Sequence, residues 1–348
     1  QDAYSNYPYT TMPLASTLNA GSTNELVAPF KDSQVQSRAL YHNLIWQSSV
    51  VKALKKSGYT YHALGSWYGA TYKAPMADVD YMYDHQLTVF GFKKRLRGIE
   101  AYEFIRSPYH RFAQMPGISW WPFKFESRDH IGDIREQLNI LDNLSTTGEA
   151  GGRFIFAHIL VPHDPFVFNG DGSLSAHSDT DSVGKPIKDK YVGQIEFINE
   201  RMKELVNQIN EQSGGKAVII FNADEGPYPQ TLNDTFKKPQ SVGQDAGDVA
   251  INEHDMRTWS DDWLKMKFGI QQAVHIPRAT AEDLKQLSSV NLFRVILNRY
   301  AGYNLEYLPD CQFGLISGSN NEYIYANVTG RFDVAADASC EQLQSLPQ

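Results

Sequence analysis

Ionisable residues follow two apolar stretches of the chain. The first stretch ends in His163 and Asp164, and the second ends in Asp224 and Glu225. Short apolar runs of this kind are typical of strands that are buried on both faces of a parallel sheet. Ligands bind beyond the carboxyl ends of such strands. We therefore predict that these four side chains line one cleft, where they could bind a metal ion or transfer protons.

A long amphipathic segment separates the two apolar stretches. Apolar residues recur at helical spacing over residues 189–212, which predicts a helix. The flanking segments 153–160 and 216–222 are predicted to be strands. Two parallel strands need a crossover connection of this kind. The sequence therefore predicts a βαβ unit that brings the ends of both strands to one edge of a sheet.

Further elements are predicted on either side of this unit. Residues 226–262 are polar and poor in structural signals, which is typical of a lid, a binding segment or a disordered region. The basic run at 93–97 is predicted to be a solvated face of a helix. The other predicted elements are helices at 33–54, 87–105, 129–144, 280–287 and 290–300, and strands at 59–64, 266–276 and 323–328.

Composition argues against two classes of protein. The 348-residue chain has a net charge of -8 at pH 7, so we predict no nucleic acid partner. Mean hydropathy is -0.43, and no run of about 18 apolar residues occurs, so no membrane-spanning helix is predicted within these residues. An anionic substrate would need a local positive charge, such as a metal ion, to offset the net charge.

The two cysteines, Cys311 and Cys340, lie near the end of the chain and lack the spacing of metal ligands. Two interpretations compete. The cysteines either form one disulfide that ties the C-terminal segment, or they are unrelated thiols. We predict the disulfide, which would close a loop of about 30 residues.

Four segments, taken in order, resemble the sulfatase-like branch of the alkaline phosphatase superfamily. The match is closest to membrane-anchored, sulfatase-like hydrolases and transferases of bacterial envelopes. No single motif is decisive, but the order and spacing of the segments agree across nearly the whole chain. The segments are residues 5–19, residues 156–166, residues 223–227, and a last group at 267–270, 291–298 and 308–310.

This resemblance implies a doubly wound, mostly parallel α/β sheet with helices on both faces and a small C-terminal segment that contains strands. It implies a sulfatase-like domain over 1–310 and a packed extension over 311–348. It also implies a hydroxyl nucleophile at a helix N-terminus, where free N–H groups and the helix dipole stabilise anions. That position falls on Thr10, which fits the envelope-protein pattern, or on Thr11, which fits the phosphodiesterase pattern.

The resemblance further implies a divalent cation, and two departures from the family pattern affect this expectation. Family members begin with a strand that ends in a metal-binding acidic residue, and no such strand precedes Thr10 in this sequence, so either the strand lies upstream of Gln1 or the site is incomplete. The family's usual Asp-His metal pair is Asp224-Glu225 here. Because carboxylate oxygen replaces imidazole nitrogen, we expect Mg, Mn or Ca rather than Zn. His163 would bind the transferred anion or protonate the leaving group.

The same residues also have structural interpretations. A threonine before a helix is a common N-cap, so either candidate nucleophile could simply cap its helix. His158 lies in mid-strand and is predicted to be a hydrogen-bonded core residue. Trp67, Tyr68, Asp78 and Asp80 could line the substrate cleft beside Asp164, or they could belong to a packed aromatic loop.

Three functions are compatible with these features. The first is a metal-dependent hydrolase or transferase that acts on phosphoric or sulfuric esters of an envelope glycan or lipid head group, through a covalent threonine ester. The second is a non-catalytic binding or scaffold module of the envelope. The third is a sugar-binding protein that uses aromatic loops around Trp67, Trp120 and Trp121. The resemblance implies an extracytoplasmic bacterial protein, anchored through membrane helices upstream of Gln1. The sequence does not indicate the oligomeric state.

Overall fold

The structure is a computed structural model in which defined parts of the chain are described. Trp120, Trp121 and residues 229–254 of the predicted lid lie outside them. The described residues are 3–30, 37–81, 85–90, 92–96, 107–109, 123–127, 130–147, 152–175, 187–228, 255–319, 322–332 and 338–345.

Helices and strands are interspersed along the described residues. The helices are α1 (Thr11–Asn19), α2 (Thr23–Val27), α3 (Ser37–Trp46), α4 (Ser49–Lys56), α5 (His130–Thr146), α6 (Ile187–Ser213), α7 (Asp261–Phe268), α8 (Ala281–Lys285), α9 (Leu292–Tyr300) and α10 (Ala338–Ser345). The strands are β1 (Ala3–Tyr4), β2 (Thr60–Leu64), β3 (Val79–Asp80), β4 (His85–Val89), β5 (Phe92–Leu96), β6 (Phe123–Ser127), β7 (Arg153–Ala157), β8 (Ile219–Asn222), β9 (Gly269–Ile270), β10 (Gln272–His275), β11 (Phe313–Ser319) and β12 (Glu322–Asn327). None of the described helices is long and apolar enough to cross a membrane.

A parallel sheet of three strands lies at the centre of the fold. Strand β2 is hydrogen-bonded to β3 on one side and to β7 on the other, and both pairs are parallel. Phe154 and Phe156 of β7 pack against the main core, where Phe154 meets Phe293 of α9 edge-on with ring centroids 5.8 Å apart. The prediction of an α/β fold with a parallel sheet is confirmed.

Helix α6 follows β7, and its predicted position is confirmed, but the predicted βαβ unit with two parallel strands is not found in the described pairings. It packs on α5, and Ile198 joins Ile134 and Leu138 in a second apolar cluster. The strand at its far end, β8, pairs with β10, which runs antiparallel to it. Among the described residues, β8 is therefore hydrogen-bonded to an antiparallel strand and not to the parallel sheet. Its last residue, Asn222, still leads directly into Asp224.

The prediction of a helix at 87–105 is wrong for the described residues 87–90 and 92–96, whereas residues 97–105 lie outside the described part of the chain. Strands β4 and β5 form an antiparallel hairpin in which Val89 pairs with Phe92, and β6 pairs with the other edge of β4. Residues 88–92 of the sequence are threonine, valine and phenylalanine, apart from Gly91. β-Branched and aromatic residues fit a pleated strand better than a helix, and they outweigh the helical spacing. The basic run at 93–97 therefore begins in a strand.

Two further predicted elements are divided in the structure. The predicted helix at 33–54 consists of α3 and α4, because the Ser48 hydroxyl accepts the Val51 N–H at 3.1 Å and caps a new helix. The predicted strand at 266–276 begins as the last turn of α7 and continues as β9 and β10. The predictions that correspond to α5, α8, α9, β2 and β12 are confirmed within a few residues.

The segment before α1 runs through the core. Ser5 donates its N–H to the Phe268 carbonyl at 2.7 Å, and the Asn6 carbonyl accepts the Phe313 N–H at 2.9 Å. The Tyr7 ring is buried, stacks 5.7 Å from Phe313, and accepts the Thr23 N–H at its hydroxyl. These contacts fix where α1 begins and join the N-terminal segment to the β11–β12 hairpin.

A disulfide joins Cys311, just before β11, to Cys340 in α10, with an S–S distance of 2.05 Å and Cα atoms 5.6 Å apart. Both cysteines are buried in the main apolar core. The bridge therefore ties the last described helix to the same core that holds the N-terminal segment.

Asp310 lies in a polar pocket beside this disulfide. Asn6 Nδ2 donates to Asp310 Oδ1 at 2.8 Å, and Gln312 Nε2 donates to the same oxygen at 3.1 Å. Burial raises the pKa of Asp310 to about 6, although both amide donors act in the opposite direction. The fold therefore favours the protonated carboxyl.

We expect this carboxyl to make stability depend on pH. A carboxyl whose folded-state pKa lies above its unfolded value of 3.8 contributes stability below about pH 4 and loses it as pH rises through about 6. Between pH 4 and 7, Asp310 should lower the free energy of unfolding of the wild type by roughly 2–3 kcal/mol. Asp310→Asn should not show this decrease, so the variant should be more stable than the wild type at pH 7. Urea unfolding across this range measures the difference.

Asp283→Asn provides the control of opposite sign. Hydrogen bonds from Thr280 hold the pKa of Asp283 below its usual value, so its charged form stabilises the fold at pH 7. That variant should lose stability at neutral pH. An Asp310→Asn protein that is less stable than wild type at pH 7 would contradict the assignment.

Candidate functional site

Thr10 immediately precedes α1 and faces Glu225. Its hydroxyl donates a hydrogen bond to Glu225 Oε1 at 3.4 Å, and it makes no capping bond to the helix. The Thr10 backbone is already helical, with φ -37° and ψ -45°, whereas an N-cap residue usually has an extended backbone. Thr10 thus occupies the N-cap position of α1, but its side chain does not cap the helix. Its hydroxyl instead contacts a carboxylate 215 positions away in the sequence.

Glu225 lies in the turn after β8, and its side chain is in contact with Lys267. Lys267 Nζ is 3.0 Å from Glu225 Oε2, in an ion pair rather than a well-aligned hydrogen bond. The Lys267 side chain is 1% exposed and that of Glu225 is 20% exposed. Lys267 Nζ also donates to the Gly226 carbonyl at 3.0 Å and lies 3.8 Å from the centre of the Tyr228 ring.

The charge state of Glu225 reflects this environment. Burial raises the pKa of Glu225 to about 7. The Lys267 charge opposes that rise, and the neighbouring Asp224 carboxylate adds to it. Two adjacent carboxylates repel each other unless a proton or a cation relieves them. The turn can therefore hold either a proton or a metal ion near neutral pH.

A loop formed by residues 65–71 connects the start of α1 with the end of β7. Tyr68 donates its hydroxyl hydrogen to Thr11 Oγ1 at 3.3 Å, and Thr11 is buried. On the other side of the loop, Ser66 Oγ and Thr71 Oγ1 lie 3.2 Å and 2.7 Å from His158 Nδ1. His158 follows the last residue of β7 and is half-buried, and its ring makes hydrogen bonds as predicted.

His158 also lies within electrostatic range of the proposed site. Burial lowers the pKa of His158, the Asp224 charge opposes this change, and the His163 charge adds to it. The ring is therefore neutral at physiological pH. Asp224 and His163 therefore both lie near enough to His158 to influence its pKa.

His163 is the exposed member of the group, with 52% of its side chain accessible. Its Nδ1 lies 3.1 Å from an Asp164 carboxylate oxygen. Trp67 stands edge-on to the imidazole with ring centroids 5.8 Å apart. Gln194 of α6 donates its side-chain amide to the His163 carbonyl at 3.2 Å. The imidazole is thus held at the surface, with an aromatic ring on one side and a carboxylate on the other.

Asp78 and Asp80 have structural contacts instead. Asp78 pairs with Lys55 at 2.7 Å and accepts the Tyr61 N–H at 2.8 Å, and Asp80 accepts the Ala74 N–H at 3.3 Å. These bonds fasten the segment before β3 to β2 and α4. None of these bonds involves Thr10 or Glu225.

The donor atoms at this turn suit a hard cation. Among the residues that the structure describes, no group of three or more His, Cys, Asp and Glu side chains could hold a metal ion. Two adjacent carboxylates, Asp224 and Glu225, and the Thr10 hydroxyl nevertheless offer oxygen. Mg²⁺ is commonly bound through one or two carboxylates and keeps several waters. In general, an all-oxygen donor set suits Mg²⁺, Mn²⁺ or Ca²⁺ better than Zn²⁺.

One contact that shapes the site, that of Lys267 with Glu225, is not predicted by the sequence. Lys267 belongs to a segment that carries the family resemblance, but this segment is predicted to be a strand, and no pattern marks the ammonium as buried. Of its apolar neighbours, Met266 is exposed and Phe268 is buried. Tyr68 is among the residues that could line the cleft according to the sequence, and the structure shows it in contact with Thr11.

Comparison with known proteins gives one family match. A family model described as Sulfatase matches residues 1–264, and a search of curated proteins found no significant match. Among solved structures, the chain is similar to Ps i-CgsB, alone and in complex with k-i-k-neocarrahexaose. Each has a TM-score of 0.47 and 14% identity over 88% of this chain. The chain spans 64% of the length of Ps i-CgsB.

We expect Gly226 to tolerate no side chain. A Cβ atom there would lie 2.1 Å from the Met266 carbonyl oxygen, and the Gly226 N–H is bonded to the Lys267 carbonyl at 2.8 Å. Gly226→Ala should lower the free energy of unfolding by about 2 kcal/mol or more, because the backbone of α7 must move. Urea unfolding measures the loss.

Gly21→Ala is the matched control. Its Cβ would meet the flexible Leu26 side chain at 3.4 Å, so the change should stay within about 1 kcal/mol. Equal effects at the two glycines would show that the turn and α7 are not in close contact.

Proposed function

Since the chain belongs to the sulfatase family, we propose that it cleaves or transfers a sulfuric or phosphoric ester with Thr10 as the nucleophile. Family membership supports hydrolysis of sulfuric esters. The observation that carries the choice of residue is the hydrogen bond from Thr10 to Glu225 Oε1, at the start of a helix. Thr11 is the weaker candidate, because its buried hydroxyl is already hydrogen-bonded to Tyr68.

In the proposed first step, Thr10 Oγ1 bonds to sulfur or phosphorus while the bond from that atom to the leaving oxygen breaks. The Thr10 proton passes to Glu225 Oε1, which already accepts it in a hydrogen bond. His163 donates a proton to the leaving oxygen. Water or an acceptor hydroxyl then attacks the threonine ester and gives its proton to His163, while Glu225 returns its proton to the Thr10 oxygen as the ester bond breaks.

Asp224 and Glu225 are the residues that would hold a divalent cation, with Mg, Mn or Ca preferred to Zn because all the donors are oxygen. When bound, such an ion would supply positive charge that lowers the pKa of the nucleophile and neutralises the transferred group. A carboxylate has about four lone-pair sites, so Glu225 can accept from Thr10 and still contact a cation.

The proposed substrate is an anionic glycan or an anionic lipid head group. Trp67 and Asp164 flank His163, and they would contact the part of the substrate that leaves. The proposed location is outside the cytoplasm, in a bacterial cell envelope, with a membrane anchor outside this sequence. The Cys311–Cys340 disulfide supports an oxidising compartment.

A second candidate function is a non-catalytic envelope module that keeps the fold and binds a partner. The contact of Lys267 with one oxygen of Glu225 favours this alternative, because it leaves the turn with fewer ligands for a cation. Titration with Mn²⁺ or Mg²⁺ separates the two functions. A stoichiometric ligand should raise the melting temperature by mass action, whereas no shift at millimolar metal would favour the binding module.

Removal of the Thr10 hydroxyl should abolish turnover. We expect Thr10→Ala to lower kcat by roughly 10³-fold or more and to abolish the covalent ester, because the nucleophile is lost. Thr10→Ser should retain both. Aryl sulfate and phosphodiester substrates with Mn²⁺ provide the assay, and intact-mass spectrometry detects the ester. Thr11→Val is the control and should keep the adduct, so an adduct that survives in Thr10→Ala would exclude this nucleophile.

His163→Ala should separate a catalytic from a structural role. If His163 protonates the leaving group, kcat should fall by roughly 10²-fold while the melting temperature stays unchanged, because the side chain is half exposed. Measuring both quantities on one preparation decides the question. A lower melting temperature with full activity per folded molecule would identify a residue that only shapes the turn.

A further inference from the structure

Lys267 is a fully buried ammonium in the last turn of α7. Burying such a charge is costly unless it is paired and hydrogen-bonded. Each of its close contacts lies on the turn after β8, namely Glu225, the Gly226 carbonyl and the Tyr228 ring. The charge is therefore not an incidental feature of the helix surface.

Backbone and side chain of Lys267 bind the turn together. The Gly226 N–H donates to the Lys267 carbonyl at 2.8 Å, and Lys267 Nζ donates to the Gly226 carbonyl at 3.0 Å. These reciprocal bonds hold the peptide that follows Glu225 against the end of α7. The absence of a side chain at Gly226 permits this approach.

The two oxygens of Glu225 consequently have different partners. Oε2 lies 3.0 Å from Lys267 Nζ, and Oε1 accepts the hydrogen bond from Thr10. A carboxylate that is held at one oxygen cannot rotate freely, so the other oxygen keeps its direction. Lys267 could instead bind a substrate anion directly, but its ammonium is buried and lies against the Tyr228 ring.

We propose that Lys267 is a positioning residue that holds Glu225 Oε2, keeps Oε1 directed at Thr10, and limits the affinity of the turn for a divalent cation. The catalytic part of this inference rests on the proposed function. The part that concerns cation affinity does not require turnover. Removing the ammonium should free both oxygens of Glu225 and remove a repulsive charge a few ångström from a bound cation.

The test is Lys267→Met, with Mn²⁺ affinity measured by calorimetry and kinetics measured on the same preparation. We expect Mn²⁺ to bind about tenfold more tightly, while kcat falls about tenfold and KM stays within about twofold. A merely structural role would weaken both properties together. Lys203→Met, which removes an exposed lysine paired with Glu200 on α6, is the matched control and should change neither.

Lys267→Gln is measured in parallel, because it keeps a donor for the Gly226 carbonyl without the charge, and the same gain in Mn²⁺ affinity is expected. Unchanged or weaker Mn²⁺ binding in the folded variants would overturn the inference, as would an absence of binding in every protein. Loss of folding in both variants would also overturn it, since a structural role would then suffice. If the wild type binds Mn²⁺ but has no turnover, the proposed function is overturned. The Mn²⁺ affinities of the variants then still test the role of Lys267.

Discussion

The arrangement of the site depends on the contact between Gly226 and the carboxyl end of α7. Three carbonyl oxygens of that helix end lie within 3.0 Å of where a Cβ atom of Gly226 would be, so the two segments meet backbone to backbone. This approach brings Lys267 into contact with the turn, where its ammonium lies 3.0 Å from Glu225 Oε2. Any side chain at Gly226 would move the turn and Glu225 away from Thr10. The close backbone contact at Gly226 therefore determines that Glu225 is the carboxylate next to the Thr10 hydroxyl.

The opposite partner is positioned by a different part of the core. Thr10 has its location because the preceding residues are buried, with Tyr7 stacked on Phe313 and Asn6 bonded to the β11 strand. The C-terminal hairpin therefore supports the nucleophile candidate, although it is distant in sequence. The Cys311–Cys340 disulfide strengthens the same region. Catalytic geometry in this protein would depend on both ends of the chain.

Patterns of local sequence predicted the elements that have one strong periodicity. The α6 stripe, the β7 run and the ionisable residues at the ends of the β7 and β8 segments could be inferred because burial selects apolar residues at fixed spacing. The β4–β5 hairpin could not be inferred from helical spacing, because strand preference and a glycine outweighed it. The pairing of β8 with β10 depends on which segments meet in space, and the sequence carries no direct record of that.

At the site, the sequence identified residue types but not their partners. Glu225 was expected as a metal ligand beside Asp224, and the structure adds that one of its oxygens faces a hydroxyl and the other a buried ammonium. The role of Lys267 could not be predicted from the sequence, because it comes from a tertiary contact with a turn 41 positions earlier. Pairwise contacts of this kind have no periodic signature in a single sequence.

The net charge of -8 makes the location of positive charge decisive for an anionic substrate. Lys267 carries a positive charge close to the proposed nucleophile, but the ammonium is buried against Tyr228 and its charge is paired with Glu225. It therefore cannot neutralise a sulfate or phosphate group by contact. His163 is accessible and close to Trp67, and the Asp224–Glu225 turn has the donors for a cation. We therefore infer that an anionic substrate meets the exposed His163 side chain or a cation at the Asp224–Glu225 turn, whereas the buried ammonium serves the geometry of Glu225.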